Sequence, residues 1–175
     1  MNSSKSPLKP HCPPDIAKGG MEINGFSYEG PLEFVRLNDA WLAVNKVRLE
    51  NYVASVVGAE MPSSWHGEAL KAQAVAARSY AVTHLVRPAG QTYHLVDTTR
   101  WQVFSGPSSL SEQAMRAAHE TSGMVLSYQG GLVESLYAST QTISEKAHRH
   151  LGASMSQHGA QRLATQGLRF DEILG

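Results

Sequence analysis

The stretch VVGAEMPSSWHGEALKAQAVAARSY, Val56 to Tyr80, places one acid, Glu60, immediately before Met61-Pro62 and a long alanine-rich segment. Glu60 lies eleven positions after Leu49 and continues the apolar stripe of Leu49, Tyr52, Val53, Val56 and Val57. A carboxyl on such a stripe loses hydration, and at a helix C-terminus it also meets the negative end of the macrodipole; both disfavour its charged form. A carboxyl that can hold its proton near neutral pH suits a general acid in glycoside cleavage. The alternative is a glutamate that caps the chain or pairs with Lys71 or Arg78. A two-carboxylate hydrolase would need a partner acid. Glu68, Asp97 and Glu134 are the candidates, and each has a structural explanation. Glu68 falls in the first turns of a helix, Asp97 in a turn-forming VDTT, and Glu134 on a strand. Spacing singles out no pair, so a mechanism with one acid that also serves as base fits better.

Other residues offer less. His148, Arg149, His150 and His158 lack the helical His-x-x-x-His or Glu-x-x-His spacing of zinc motifs. Cys12 is the single cysteine, so neither an intrachain disulfide nor a cysteine zinc site can form, and no metal or other cofactor is expected. Ser156 has no Gly-x-Ser-x-Gly context, which argues against a serine hydrolase. Trp65, Tyr80, Tyr93, Trp101, Gln102 and Tyr137 supply the flat rings, amides and hydroxyls that sugar sites combine, with core packing favoured for Tyr80.

Composition bounds the partners. The chain has 175 residues, 42% of them hydrophobic, enough for one folded domain. Lys plus Arg and Asp plus Glu number 15 each, so nothing in the charge calls for nucleic acid or an anionic membrane. A polar, uncharged ligand such as a glycan is compatible. No apolar run approaches the roughly 18 residues of a transmembrane helix. No export signal is visible in the polar, Pro-rich MNSSKSPLKPHCPPD.

The elements that must hold these residues give an α+β chain. Residues 1–20 read as a disordered tail, and 21–175 as a single domain. LEFVRL, Asn38-Asp39 and WLAVNKV predict a β-hairpin in a strand-rich N-terminal part. The stripe predicts a helix over Leu49–Glu60, ended by Pro62. A second, alanine-rich helix follows over about Trp65–Val86, with Leu70, Ala74, Ala77, Ala81 and Leu85 as a face of mostly small residues. YHLVDTTRWQVFSG reads as extended structure or ordered loop. Ser109 to Glu112 has a capping-box pattern opening a third helix, with Gly123 as the residue that ends it. MVLSY, QGG and LVESLYAST predict a C-terminal hairpin. A last helix covers about Ser156–Gln166, and FDEIL adds one turn.

LENYVASVVGAEMPSSWHGEALKAQAVAARSYA closely resembles the signature of the stage II sporulation protein D (SpoIID/LytB) family. YHLVDTTRWQVFSG, AAHETSGMVLSYQGGLVESLYAST and MSQHGAQRLATQGLRFDEIL resemble its later segments in the same order, so the resemblance covers about residues 40–174. It implies an exported, extracytoplasmic protein of the bacterial cell wall acting on peptidoglycan glycan strands. Lytic members use the glutamate of the Glu-Met pair, here Glu60, as the catalytic acid. The implied reaction cleaves the β-1,4 bond between N-acetylmuramic acid and N-acetylglucosamine and leaves a 1,6-anhydro end. Lys71, Gln73 and Arg78 fall within the signature, and with Gln102, Tyr137 and Gln157 they are the implied substrate contacts. Other members are described as enhancers of a cell-wall amidase, which makes a non-catalytic glycan-binding module with an amidase partner the alternative. A domain in which Glu60 forms a buried ion pair is a third.

The chain departs from the family pattern in two places. The insertion that longer members carry after the hairpin tyrosine is absent, which makes this a compact form. The family's GHG-x-GMSQ reads HLGASMSQ, with Leu151 in place of histidine and Ser154 in place of glycine.

Overall fold

The computed structural model describes residues 21–23, 25–96, 102–143 and 154–175. The 1–20 tail, Asp97, Trp101 and the His148–His150 group lie outside the described residues. The chain divides into two compact units, with the boundary in sequence between Val47 and Arg48.

The first unit holds two hairpins. Strands β1 (Met21–Ile23) and β2 (Phe26–Tyr28) form a short antiparallel pair. Strands β3 (Leu32–Leu37) and β4 (Ala40–Asn45) form the expected hairpin, in register from Leu32↔Asn45 to Leu37↔Ala40. Its turn puts Asn38 at φ 53°, a left-handed position that asparagine tolerates.

The second unit, Arg48–Gly175, is helical and carries every candidate site residue. Helix α1 spans Leu49–Glu60 as expected. Its stripe is buried from Tyr52 to Val57, and Met61 turns to extended geometry (φ −130°, ψ 140°) ahead of Pro62. Helix α2 begins at Gly67 rather than Trp65 and runs to Val86. The delay has a local cause: Trp65 N–H closes a turn onto Pro62 C=O, and His66 is the N-cap, its Nδ1 accepting from Glu68 N–H at 3.3 Å.

Helix α2 is the centre of the unit. Residues 72–81 are all buried, not a single face of them. Its alanines let other helices close in from several directions. These are α1, α3 (Glu112–Glu120), α4 (Gln157–Thr165) and α5 (Phe170–Leu174). Ala69 of α2 meets Ala160 and Ala164 of α4 in one such contact.

Helix α3 starts two residues later than its sequence signal placed the cap. Ser109 belongs to a 3-10 turn, Gly106–Ser109, and Ser111 is the N-cap, accepting from Ala114 N–H at 3.1 Å. The helix ends at Glu120 with Thr121 as its C-cap, and Gly123 takes φ 76° just beyond. The C-terminal hairpin is shorter than expected. Strands β5 (Ser127–Tyr128) and β6 (Gly131–Leu132) pair across Gln129-Gly130, both at positive φ as a type I′ turn requires. The rest of LVESLYAST leaves this hairpin. Its Tyr137–Ala138 forms β7, which pairs in parallel with β8 (Met155–Ser156).

Candidate functional site

Glu60 occupies the last position of α1, half-buried, with three donors converging on its carboxyl. Val103 N–H donates to Oε1 at 3.1 Å, the Tyr137 hydroxyl reaches Oε1 at 3.5 Å, and Gln157 Nε2 reaches Oε2 at 3.4 Å. The two side-chain contacts are long, as is common in a site without substrate.

Each donor is placed by a different element. The parallel β7–β8 ladder sets Tyr137 opposite Met155, two residues before Gln157, the first residue of α4. Met155 N–H to Leu136 C=O and His158 N–H to Ser139 C=O, both 3.0 Å, lock that register. The ladder therefore delivers a phenol and an amide to the same carboxyl. Val103 comes from the segment 102–109, which is fastened along α1. The Tyr52 hydroxyl donates to Gln102 Oε1 at 2.8 Å, and the Tyr52 ring stacks on Phe104 with centroids 5.3 Å apart. Ser55 Oγ bonds Gly106 C=O at 3.0 Å and lies 2.9 Å from Ser109 Oγ. Gly58 lets the turn come close: a Cβ there would lie 1.9 Å from the Ser109 carbonyl oxygen.

Gln102, 1% exposed, links these parts. Its Nε2 donates to Ala77 C=O at 3.3 Å, and its amide lies beside the Tyr137 hydroxyl. Burial of that hydroxyl, then the neighbouring Glu60 and Tyr52, push the Tyr137 phenol well above its ordinary value, so it stays a protonated donor. Burial likewise raises Tyr52. At the rim, Trp65 and His158 meet with ring centroids 4.9 Å apart, tilted by 58°.

The remaining expected contacts lie elsewhere in the packing. Arg78 is 1% exposed and bonded wholly within the fold. Its Nε and one terminal nitrogen grip Glu50 at 3.0 and 2.6 Å, and its terminal nitrogens also reach Ala118 C=O at 2.9 Å and Met124 C=O at 3.1 Å. Burial alone would raise Glu50, but the Arg78 guanidinium, with help from Gly123 N–H and Ser122, holds its carboxyl below the ordinary value. Lys71 sits between Glu68 at 2.9 Å and Glu120 at 2.8 Å, and those two carboxylates, Glu120 foremost, raise it. A pairing of Glu60 with Lys71 or Arg78 is thus not what the fold builds, because both cations are taken by other acids. Gln73 is fully buried in α2, and neither of its amide atoms has a partner among the described residues. Of the candidate second acids, Glu68 also accepts Phe170 N–H at 2.8 Å, and Glu134 lies 3.4 Å from His84 Nε2.

Sequence reasoning brought Glu60, Gln102, Tyr137 and Gln157 to the list, and the structure brings these four together. It missed Val103, whose contribution is a backbone N–H that no side-chain pattern reports. It also read Tyr52 as core alone, although a phenol rather than a phenylalanine on the buried stripe was a signal of a required partner.

The family model described as stage II sporulation protein, SpoIID, matches residues 38–128, which include Glu60, Gln102 and Val103 and stop before Tyr137 and Gln157. An uncharacterized protein of Brachyspira hyodysenteriae is 37% identical over 120 residues, 68% of this chain and 33% of that protein. The Bacillus subtilis protein named amidase enhancer is 44% identical over 85 residues, 49% of this chain and 11% of that protein. Stage II sporulation protein D of Bacillus subtilis is 34% identical over 116 residues, 56% of this chain and 33% of that protein. The chain thus spans a third or less of the length of these relatives. With a family match over more than half its residues, centred on the helix pair that carries Glu60, the chain belongs to the SpoIID family of stage II sporulation proteins.

Proposed function

We propose that the chain acts at the bacterial cell wall, outside the cytoplasm, as a lytic transglycosylase on peptidoglycan glycan strands, with Glu60 as acid and then base. The observation that carries the reading is the convergence of Val103 N–H, the Tyr137 hydroxyl and the Gln157 amide on this one carboxyl. Such fixed donors hold a reacting carboxyl in place at no reorganisation cost during the reaction. Protonated Glu60 gives its proton to the bridging oxygen between N-acetylmuramic acid and N-acetylglucosamine, and the C1–O bond breaks. The carboxylate then takes the proton of the muramoyl 6-hydroxyl as that oxygen bonds C1. The product is a 1,6-anhydro end, the carboxyl is restored, and no water or cofactor is consumed.

In this scheme Tyr137 stays protonated and returns a hydrogen bond to the carboxylate once Glu60 has given up its proton. The Gln157 amide suits the hydroxyl and N-acetyl groups of the sugars, whereas Gln102, buried and engaged by Tyr52 and Ala77 C=O, supports the site from within the fold. Arg78 and Lys71 contribute through the fold, since their donors are engaged by Glu50, Glu68 and Glu120.

A second reading is a glycan-binding module that stimulates a separate cell-wall amidase. It is favoured by the similarity to the Bacillus subtilis protein named amidase enhancer. The test is a digest of purified glycan strands, with and without stem peptides, read by mass spectrometry beside a Glu60→Gln control. The transglycosylase reading expects 1,6-anhydro products that vanish with Glu60→Gln. Absence of cleavage, with both proteins retained on the strands, would favour the binding module.

A further inference from the structure

We infer that Tyr52 is a positioning residue of the Glu60 site, acting through Gln102. Tyr52 lies on α1 eight residues before Glu60, and it is buried. Its two contacts bracket Val103: the hydroxyl holds Gln102 Oε1 at 2.8 Å, and the ring stacks on Phe104 at an interplanar angle of 17°. Among the described residues, Val103 N–H makes the shortest hydrogen bond that Glu60 receives. The hydroxyl contact is the one that anchors Gln102, and with it the peptide unit whose N–H, that of Val103, faces the carboxyl; the stack on Phe104 serves packing.

The same hydroxyl bears on the surroundings of a second Glu60 contact. Because it donates to Gln102 Oε1, the amide must turn Nε2 the other way, toward Ala77 C=O at 3.3 Å. In that orientation the Gln102 amide lies beside the Tyr137 hydroxyl, which in turn faces Glu60 Oε1. One phenol thus sets the buried amide that adjoins two of the three donors on Glu60, Val103 N–H and the Tyr137 hydroxyl. Packing needs only the ring, and the hydroxyl serves the site. A hydroxyl buried without this use would lose hydration for nothing.

The inference rests on the reading that Glu60 is the reacting carboxyl, but its geometry is testable without activity. Tyr52→Phe keeps the ring and the stack on Phe104 and removes only the donor. Phe104→Leu weakens the stack and leaves the donor. Amide hydrogen exchange is read at Val103 in the whole chain, against buried amides of α2 that report global opening. Tyr52→Phe should speed exchange at Val103 by about three- to tenfold beyond any change in α2, the value of one lost hydrogen bond. It should lower kcat on glycan strands by a similar three- to tenfold factor with KM unchanged, as expected when an interaction made in the transition state weakens. Phe104→Leu should lower the melting temperature while Val103 keeps its protection relative to α2. Val103 exchange that follows α2 in both variants, or changes equally in both, would overturn the inference. If the unmodified protein cleaves no glycan, the proposed function fails, and the Val103 measurement still decides the role of Tyr52.

Discussion

Replacing Arg78 with methionine separates two roles for a buried cation. The guanidinium bonds Glu50 through two nitrogens, at 3.0 and 2.6 Å, and reaches the carbonyls of Ala118 and Met124. Methionine keeps part of the volume and removes every donor. Breaking a buried pair by deleting one partner costs about 3–5 kcal/mol. The Glu50 side chain is 35% exposed, so water recovers part of its solvation and places the cost near the lower end, about 3 kcal/mol. Against a typical domain stability of about 5–15 kcal/mol, that is a large fraction. Urea unfolding followed by circular dichroism should show a much lower midpoint, while the folded fraction retains glycan strands as the unmodified protein does. The pH dependence gives a second check. Glu50 is held below its ordinary value of 4.5, so its contribution is fully present above that pH and is lost as pH falls through its lower folded-state value. Acid destabilisation in that range should shrink with Arg78→Met. An unchanged midpoint together with weakened glycan retention would refute the structural role and return Arg78 to the substrate.

Three other substitutions probe the supports of the site. Gly58→Ala would drive a methyl group to 1.9 Å from the Ser109 carbonyl, and backbone cannot rotate away as a side chain can. Thermal melts should show a loss of about 1–3 kcal/mol despite the better helix propensity of alanine. Ser111→Ala should cost about 1 kcal/mol in urea unfolding, because Ser111 is the residue that caps α3. Tyr137→Phe should leave the melting temperature nearly unchanged and lower glycan cleavage on the order of 10- to 100-fold, since it removes a donor aimed at the reacting carboxyl.

Elements whose causes are local were legible in the residues alone. The 3.6-residue stripe and Pro62 gave α1 both of its ends, Leu49 and Glu60, and Asn38-Asp39 placed the β3–β4 turn. MVLSY, QGG and LVESLYAST predicted the last hairpin, though its strands are only two residues each. Two boundaries shifted because hydrogen bonds that the pattern does not encode took over: the Pro62–Trp65 turn delayed α2, and the 3-10 turn at Gly106–Ser109 moved the α3 cap to Ser111. Glu60 was legible as a candidate because its oddity, an acid on an apolar stripe, is itself local.

Its surroundings were decided by tertiary structure. The donors on Glu60 come from positions 43, 77 and 97 residues away. Tyr137 and Gln157 are brought together by a parallel pairing of two-residue strands, too short to show any period. Lys71, Gln73 and Arg78 share the Glu60 signature segment, yet they turn to other faces of α2. Near neighbours in sequence set whether a helix forms and where it stops. Which side chains meet at its end depends on packing between segments that no local pattern relates.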